Sequence, residues 1–164
     1  MADKDKTPVT LAIRMLREQG VEFTTHRYRY ERGGGTRISA RELGVDEHRV
    51  IKTLVMEDER KRPLLVLMHG DLEVSTKQLA RHLGVKTVAP CPENVAARHT
   101  GYLVGGTSPF GTLKKLPVYL EETILELPTI YINGGQRGFL VEIQPAEIVR
   151  LLAPTPVRIA VKPT

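Results

Sequence analysis

The chain of 164 residues carries one cysteine, Cys91. A single thiol excludes an internal disulfide framework and a cysteine metal cluster. It fits a reducing compartment, so a cytoplasmic location is expected. No run of about 18 apolar residues occurs, so no membrane span is expected. The opening segment, MADKDKTPVT, is polar and holds no apolar signal core. There is no internal repeat and no low-complexity tract. No G-x-G-x-x-G follows a strand-like run and no Walker loop occurs, which argues against dinucleotide and nucleoside-triphosphate binding. The G-x-S-x-G nucleophile elbow is missing too. His69-Gly70-Asp71 reads as a turn with no histidines or acids at ligand spacing, so neither a metal site nor a cofactor is expected.

What is present is an ordinary globular composition, 41% hydrophobic and 26% charged. The length suits one domain over residues 1–164, with tails at 1–6 and from about 154. Lysine and arginine number 24 against 19 acids, a formal charge of +5. That balance favours a polyanionic partner only weakly. The densest feature is Gly101–Gly111, GYLVGGTSPFG. Adjacent Gly105 and Gly106 can bring bare backbone up to a ligand and offer N–H groups to an oxygen. Thr107 and Ser108 add hydroxyls. A tight turn between strands is the plainer reading of the same residues.

Along the chain, Thr7 reads as an N-cap with Pro8 in the first helical position. Val9, Ala12, Ile13 and Leu16 then share a face, and Gly20 ends the helix. Val21–Tyr30 alternates like a strand, with His26, Tyr28 and Tyr30 on one face. These rings line a pocket or pack half-buried. Glu31–Arg37 reads as a mobile glycine-rich loop. Arg27, Arg29, Arg32, Arg37 and Arg41 crowd this region as a solvated surface or as phosphate contacts. Ser39 with Glu42, and Ser75 with Gln78, are capping-box patterns whose helices end at Gly44 and Gly84. Val50–Met56 reads as a buried strand interrupted by Lys52, which must snorkel, pair or point into a cleft. A charged turn and the strand Leu64–His69 follow. Short strands are expected at Val85–Ala89, Val118–Leu120 and Thr129–Ile132, and a helix at Pro92–His99. Asn133-Gly134-Gly135 reads as a hairpin turn before Gly138–Ile143. Pro145 opens a last helix to Leu152. Strands and helices interleave irregularly, which predicts an α+β fold with a mixed sheet.

Three segments in this order, VIKTLVM, GYLVGGTSPFG and TIYINGGQRGFLVEI, resemble the YbaK/EbsC family, a relative of the editing domain inserted in some bacterial prolyl-tRNA synthetases. The similarity runs from about Thr7 to Leu152. The resemblance implies a strongly twisted, partly barrel-like mixed sheet surrounded by helices. It implies a trans-editing aminoacyl-tRNA deacylase with Cys-tRNA(Pro) as the typical substrate. Its partners would be the tRNA acceptor end and prolyl-tRNA synthetase. By the same resemblance the essential lysine is Lys52, followed by Thr53, and the pocket glycine is Gly105. Tyr28, two residues after His26, matches a family tyrosine, and Gly134 and Gly135 match the glycine pair of the later hairpin. Gly101, Gly106 and Ser108 of the glycine-rich stretch, and Asn133, complete the expected substrate-binding set. Asn133 and Leu140 replace a serine and an aspartate found in relatives.

The expected chemistry is the breaking of an ester between an amino acid and a ribose hydroxyl. It needs donors for the developing oxyanion and a cation near the ribose or phosphate. Gly105 and Gly106 would offer N–H groups, and Lys52 the charge. Cys91 is not needed as nucleophile and reads as a packed or surface thiol. An alanine at position 105 is expected to fill the pocket at little cost to stability. The alternatives are a non-catalytic module that grips the acceptor end or a synthetase, and a hydrolase of other small aminoacyl esters.

Overall fold

The computed structural model describes residues 7–164. The expected tail at 1–6 lies outside the described residues. Helix α1 spans Leu11–Glu18 and begins later than Thr7-Pro8 would place it. Its N-cap is Thr10, whose Oγ1 accepts the Ile13 N–H at 3.0 Å. Val9 stays 67% exposed, ahead of the helix, while Ala12, Ile13 and Leu16 are fully buried. Strand β1 is short, Thr24–Arg27.

Helix α2, Gly35–Leu43, takes in the end of the segment expected to be loop. Ser39 is therefore not its cap. It is buried in mid-helix and donates to the Thr36 carbonyl at 3.0 Å. Gly44 ends the helix in the left-handed region, φ 67°, as its position in the sequence suggests. The Ser75 cap is present: its side chain accepts the Gln78 N–H at 3.2 Å and starts α3, Thr76–Leu83. Helix α4 covers Glu93–Thr100, and α5 runs over Pro145–Leu152.

The remaining strands are β2 Val50–Asp58, β3 Pro63–His69, β4 Glu73–Val74, β5 Val88–Pro90 and β6 Val118–Glu121, followed by β7 Ile130–Gln136, β8 Phe139–Ile143, β9 Thr155–Val157 and β10 Ala160–Val161. The large sheet runs β1-β8-β7-β2-β3-β6-β9, with β5 also against β2. It is mixed: β2–β7, β3–β6 and β6–β9 are parallel, and the other pairs are antiparallel. Strand β3 is buried on both faces. Leu65 and Leu67 join the core under α1 and α5, whereas Leu64, Val66 and Met68 join a second core with Leu79 and Val88.

Two expectations change here. The chain after Ala153 is not a tail, because β9 adds a strand beside β6 and Val157 and Ile159 are buried. The buried Glu121 carboxylate fixes it by accepting the N–H groups of Ile159 and Ala160 at 2.8 and 2.9 Å. Asn133-Gly134-Gly135 is not the hairpin turn either. These residues stay in β7 as a bulge, and the chain reverses at Arg137-Gly138, between the paired Gln136 and Phe139. Gly134 packs so tightly on Phe139 that a β-carbon would lie 2.5 Å from its ring. Among the described residues no helix is long and apolar enough to cross a membrane.

The feature that positions the site is a split in this sheet. One edge of β2 pairs with β3 through Ile51–Glu57. The other edge pairs with β7 only at Val50 and Ile51, and with β5 only from Met56 to Asp58. Between them, this second edge has no paired strand along Lys52–Val55, and a cavity opens there.

Candidate active site

The cavity has a volume of about 520 Å³. Its floor is the unpaired stretch of β2, including Lys52 and Thr53. Tyr28 and Tyr30 close it where the chain leaves β1, and the start of α2 forms one rim. Val104, Gly105 and Thr107 form the opposite wall, with Asn133 and Leu140 between. Five expected site residues thus share one cavity: Tyr28, Lys52, Thr53, Gly105 and Asn133.

Lys52 is half-buried, and its Nζ lies 3.4 Å from the Gly70 carbonyl oxygen. Burial lowers its pKa, and the negative charges of Glu73, Glu47 and Asp71 oppose that shift. Thr36 braces the same carbonyl. Its hydroxyl lies 3.1 Å from Gly70 O and 2.8 Å from the Glu47 carboxylate. Lys52 thus lines the cavity with its ammonium held against the Gly70 turn. Thr53 Oγ1 is buried without a hydrogen-bond partner among the described residues.

The Gly105 loop is held from behind. Gly105 has φ 90°, and its α-carbon faces the Tyr30 ring. The Gly105 carbonyl accepts from Asn133 Nδ2 at 3.2 Å, and the Val104 carbonyl from Arg137 Nε at 2.9 Å. Arg137 also lies over the Tyr30 ring, 5.3 Å from its centroid. These contacts turn two carbonyls away and leave the Gly105 N–H without a partner among the described residues. The Gly106 N–H is not a free donor, because it bonds Leu103 O at 2.8 Å.

The other expected site residues sit outside the cavity wall, each for a packing reason. Gly106 presses against the Arg137 backbone, where a β-carbon would lie 2.8 Å from its nitrogen. Gly101 ends α4 with φ 83° beneath Leu113. Ser108 is fully buried, and its Oγ accepts the Phe110 N–H at 3.1 Å. Gly134 faces Phe139 and gives its carbonyl to Thr10 Oγ1, and Gly135 packs on Thr10 and Tyr102. His26 is not in the cavity lining; its ring packs edge-on against Tyr131, and it pairs with Glu142 at 3.0 Å.

Cys91 lines the cavity, which its sequence position did not suggest. Its thiol donates to Glu57 Oε1 at 3.4 Å. Burial and the neighbouring carboxylate push its pKa up to about 12. A thiol so held is a poor nucleophile. Tyr30 lines the cavity with Tyr28, one of the two readings that their shared strand face leaves open. Thr36 and Arg137 are not signalled by the sequence.

The turn after β3 gathers His48, His69 and Asp71, whose potential ligand atoms lie within 4.8 Å of one another. This grouping is invisible in the spacing of the sequence. The geometry suits packing more than ligation. The two imidazoles stack 3.7 Å apart at 5°, so their lone pairs lie in parallel planes and do not converge on one ion. Both His69 nitrogens are engaged, by His48 O at 2.8 Å and Thr123 Oγ1 at 2.7 Å. Burial lowers the His69 pKa, and the ring ties the end of β3 to His48 and Thr123.

Residues 36–151 match the family model described as an aminoacyl-tRNA editing domain. The chain is 31% identical over 152 residues to an Enterococcus faecalis protein named "Putative Cys-tRNA(Pro)/Cys-tRNA(Cys) deacylase EbsC", covering 92% of this chain and 93% of that one. It is 36% identical over 96 residues to the proline–tRNA ligase of Thermodesulfovibrio yellowstonii, covering 58% of this chain and 16% of the ligase. A solved structure described as "a putative trans-editing enzyme for prolyl tRNA synthetase" shares the fold, with a TM-score of 0.80, 21% identity, and coverage of 96% of this chain and 100% of that one. The extent of the domain match and the near full-length identity to the Enterococcus protein show that this chain belongs to the aminoacyl-tRNA editing family, of the YbaK/EbsC type.

Proposed function

We propose that this chain is a trans-editing deacylase that hydrolyses the aminoacyl ester of mischarged tRNA, with Cys-tRNA(Pro) as its foremost substrate. The observation that carries the reading is that Lys52 and Gly105 line one cavity of about 520 Å³. The Lys52 ammonium holds the ribose or terminal phosphate. The Gly105 N–H receives the ester carbonyl oxygen as it gains negative charge. Tyr28, Thr53 and Asn133 complete the substrate contacts, and Gly101, Gly106, Ser108, Gly134 and Gly135 support the loop and bulge that carry them. The apolar parts of the wall, Leu54, Val55 and Leu140 among them, keep the reacting ester out of bulk water.

With a cysteinyl substrate the substrate's own thiol attacks the carbonyl carbon. A carbon–sulfur bond forms, the carbon–oxygen bond to ribose breaks, and the thiol proton passes to the ribose oxygen. Water then opens the cyclic thioester. This route requires no nucleophile from the protein, in keeping with the elevated pKa of Cys91. A substrate without a thiol is attacked by water at the same place. The tRNA acceptor end is the binding partner, and prolyl-tRNA synthetase is the source of the error that is corrected.

A panel of charged tRNAs, with Cys and Ala on tRNA(Pro) first, tests the reading against wild type and Lys52→Ala. Release of amino acid by wild type alone supports the deacylase. Tight binding without release by either protein identifies a non-catalytic acceptor-end module. Equal rates on short aminoacyl esters and full tRNA identify a general ester hydrolase.

A further inference from the structure

The unpaired edge of β2 has a chemical consequence. Strand backbone alternates, so every second residue turns its N–H and C=O to the same side. The Val55 carbonyl accepts the Cys91 N–H at 3.0 Å, so the main chain of Val55 faces the β5 side. Two residues earlier, the main chain of Thr53 faces that side as well. There β7 has already left, since its pairing ends at Ile51, and β5 has not begun, since its pairing starts at Met56. The N–H and C=O of Thr53 therefore look into the cavity with no strand opposite. The Thr53 hydroxyl, buried and without a partner among the described residues, adds a third unused polar group at the same point. A buried polar group left unpaired in a folded protein calls for a partner, and a ligand entering the cavity can supply one here.

We propose that the main chain of Thr53 is the subsite for the aminoacyl residue itself, which docks as a one-residue antiparallel strand; this rests on the deacylase reading above. Opposed residues of an antiparallel pair exchange two hydrogen bonds, each giving an N–H and a C=O. An aminoacyl ester carries that same pair of groups. Its α-ammonium donates to the Thr53 carbonyl, and its acyl oxygen accepts the Thr53 N–H. The acyl oxygen is then polarised by Thr53 from the strand as well as by Gly105 from the loop. The size of the gap limits the ligand. Four residues of strand span roughly 13 Å, with β7 closing one end and β5 the other. Only the Thr53 main chain faces the gap unpaired, because Ile51 is matched by β7 and Val55 by Cys91, so one residue of ligand can pair there. The subsite thus selects acyl groups bearing a free α-amino group, whatever their side chain.

Two measurements test this. Ala-tRNA(Pro) and propionyl-tRNA(Pro) differ only in the α-amino group. Relative to its uncatalysed hydrolysis, the propionyl substrate is expected to lose at least about tenfold in kcat/KM, the scale of one hydrogen bond to a charged group. Thr53→Val keeps the main chain and is expected to keep this discrimination. Equal acceleration of both substrates overturns the proposal, and so does loss of discrimination in Thr53→Val, which would assign the role to the hydroxyl. Separately, the Thr53 amide is expected to exchange with solvent faster than its neighbours Lys52 and Leu54 in the free protein. It should become protected on saturation with the non-hydrolysable 3′-alanylamino analogue of the terminal adenosine. An amide already protected in the free protein, or unchanged by the analogue, overturns the proposal. If Ala- and Cys-tRNA(Pro) are both inert with wild type, the deacylase reading fails, while the exchange measurement still decides whether the strand edge binds an aminoacyl group.

Discussion

Tyr30 leaves no room for a side chain at Gly105. A β-carbon there would lie 2.6 Å from the phenol oxygen, on a backbone with φ 90°. The expectation that alanine is tolerated at this turn is therefore revised. Gly105→Ala must displace Tyr30 and strain the loop, at a cost of about 1–3 kcal/mol. For a protein of this size each kcal/mol lowers Tm by about 2–4 °C. Calorimetry should show that loss, and deacylation should fall with it, because Tyr30 and Arg137 hold the loop from which the Gly105 N–H points. An unchanged Tm with full turnover would contradict the assignment.

Cys91 lines the cavity yet should be dispensable. With its pKa pushed up to about 12, almost no thiolate exists at pH 8. Iodoacetamide should label it far more slowly than an unstructured cysteine, and Cys91→Ser should keep deacylation within about twofold. Fast labelling, or loss of turnover in that variant, would make the thiol a participant.

How far the sequence alone carries depends on the reach of each signal. Ser75 with Gly84, Gly44 and Pro145 mark helix ends in the sequence as in the structure, because a cap involves neighbours within one turn of helix. Ser39 with Glu42 has the same spelling as a cap, but its serine is drawn inside α2 by packing. The glycines after Asn133 signal a turn, yet Phe139, Thr10 and Tyr102 crowd them into a bulge, and those contacts come from across the sheet. Strand β9 has no local pattern; it exists because the edge of β6 was open. For the site, Lys52, Thr53, Gly105 and Tyr28, which the resemblance singles out, line one cavity, as does Asn133, where the chain departs from its relatives. The Arg137 brace and the gap in β2 follow from pairing between distant segments.

Acid should weaken the fold through the β2–β3 turn. Hydrogen bonding from Lys61 holds the Glu57 carboxyl below its ordinary pKa against the effect of burial. Burial raises the Asp58 pKa, but bonds from the Arg62 and Arg60 main chain and the Arg62 side chain outweigh it. Both folded-state values are depressed, so the stabilisation is full above the ordinary carboxylate range. It is lost as pH falls through and below that range, about 4. Urea midpoints measured down this range should decline, and less steeply for Asp58→Asn. A flat profile would show that these groups are not linked to folding.

Binding of tRNA should weaken with salt. Arg41 is paired to Glu31 and Glu42, while Arg29, Arg32 and Arg37 are exposed near the cavity rim. Each phosphate contact contributes about −0.7 to −0.9 to the slope of log K against log salt. Arg32→Ala and Arg37→Ala should each reduce that slope by about one contact. Slopes identical to wild type would place the RNA elsewhere.

The most direct measurement is single-turnover deacylation of Cys-tRNA(Pro) by wild type and Lys52→Ala, with tRNA binding followed in parallel. Hydrogen bonds to charged groups are worth about 1.5–3 kcal/mol, so the account predicts at least a tenfold fall in kcat/KM for a folded variant. Undiminished release by Lys52→Ala would contradict it.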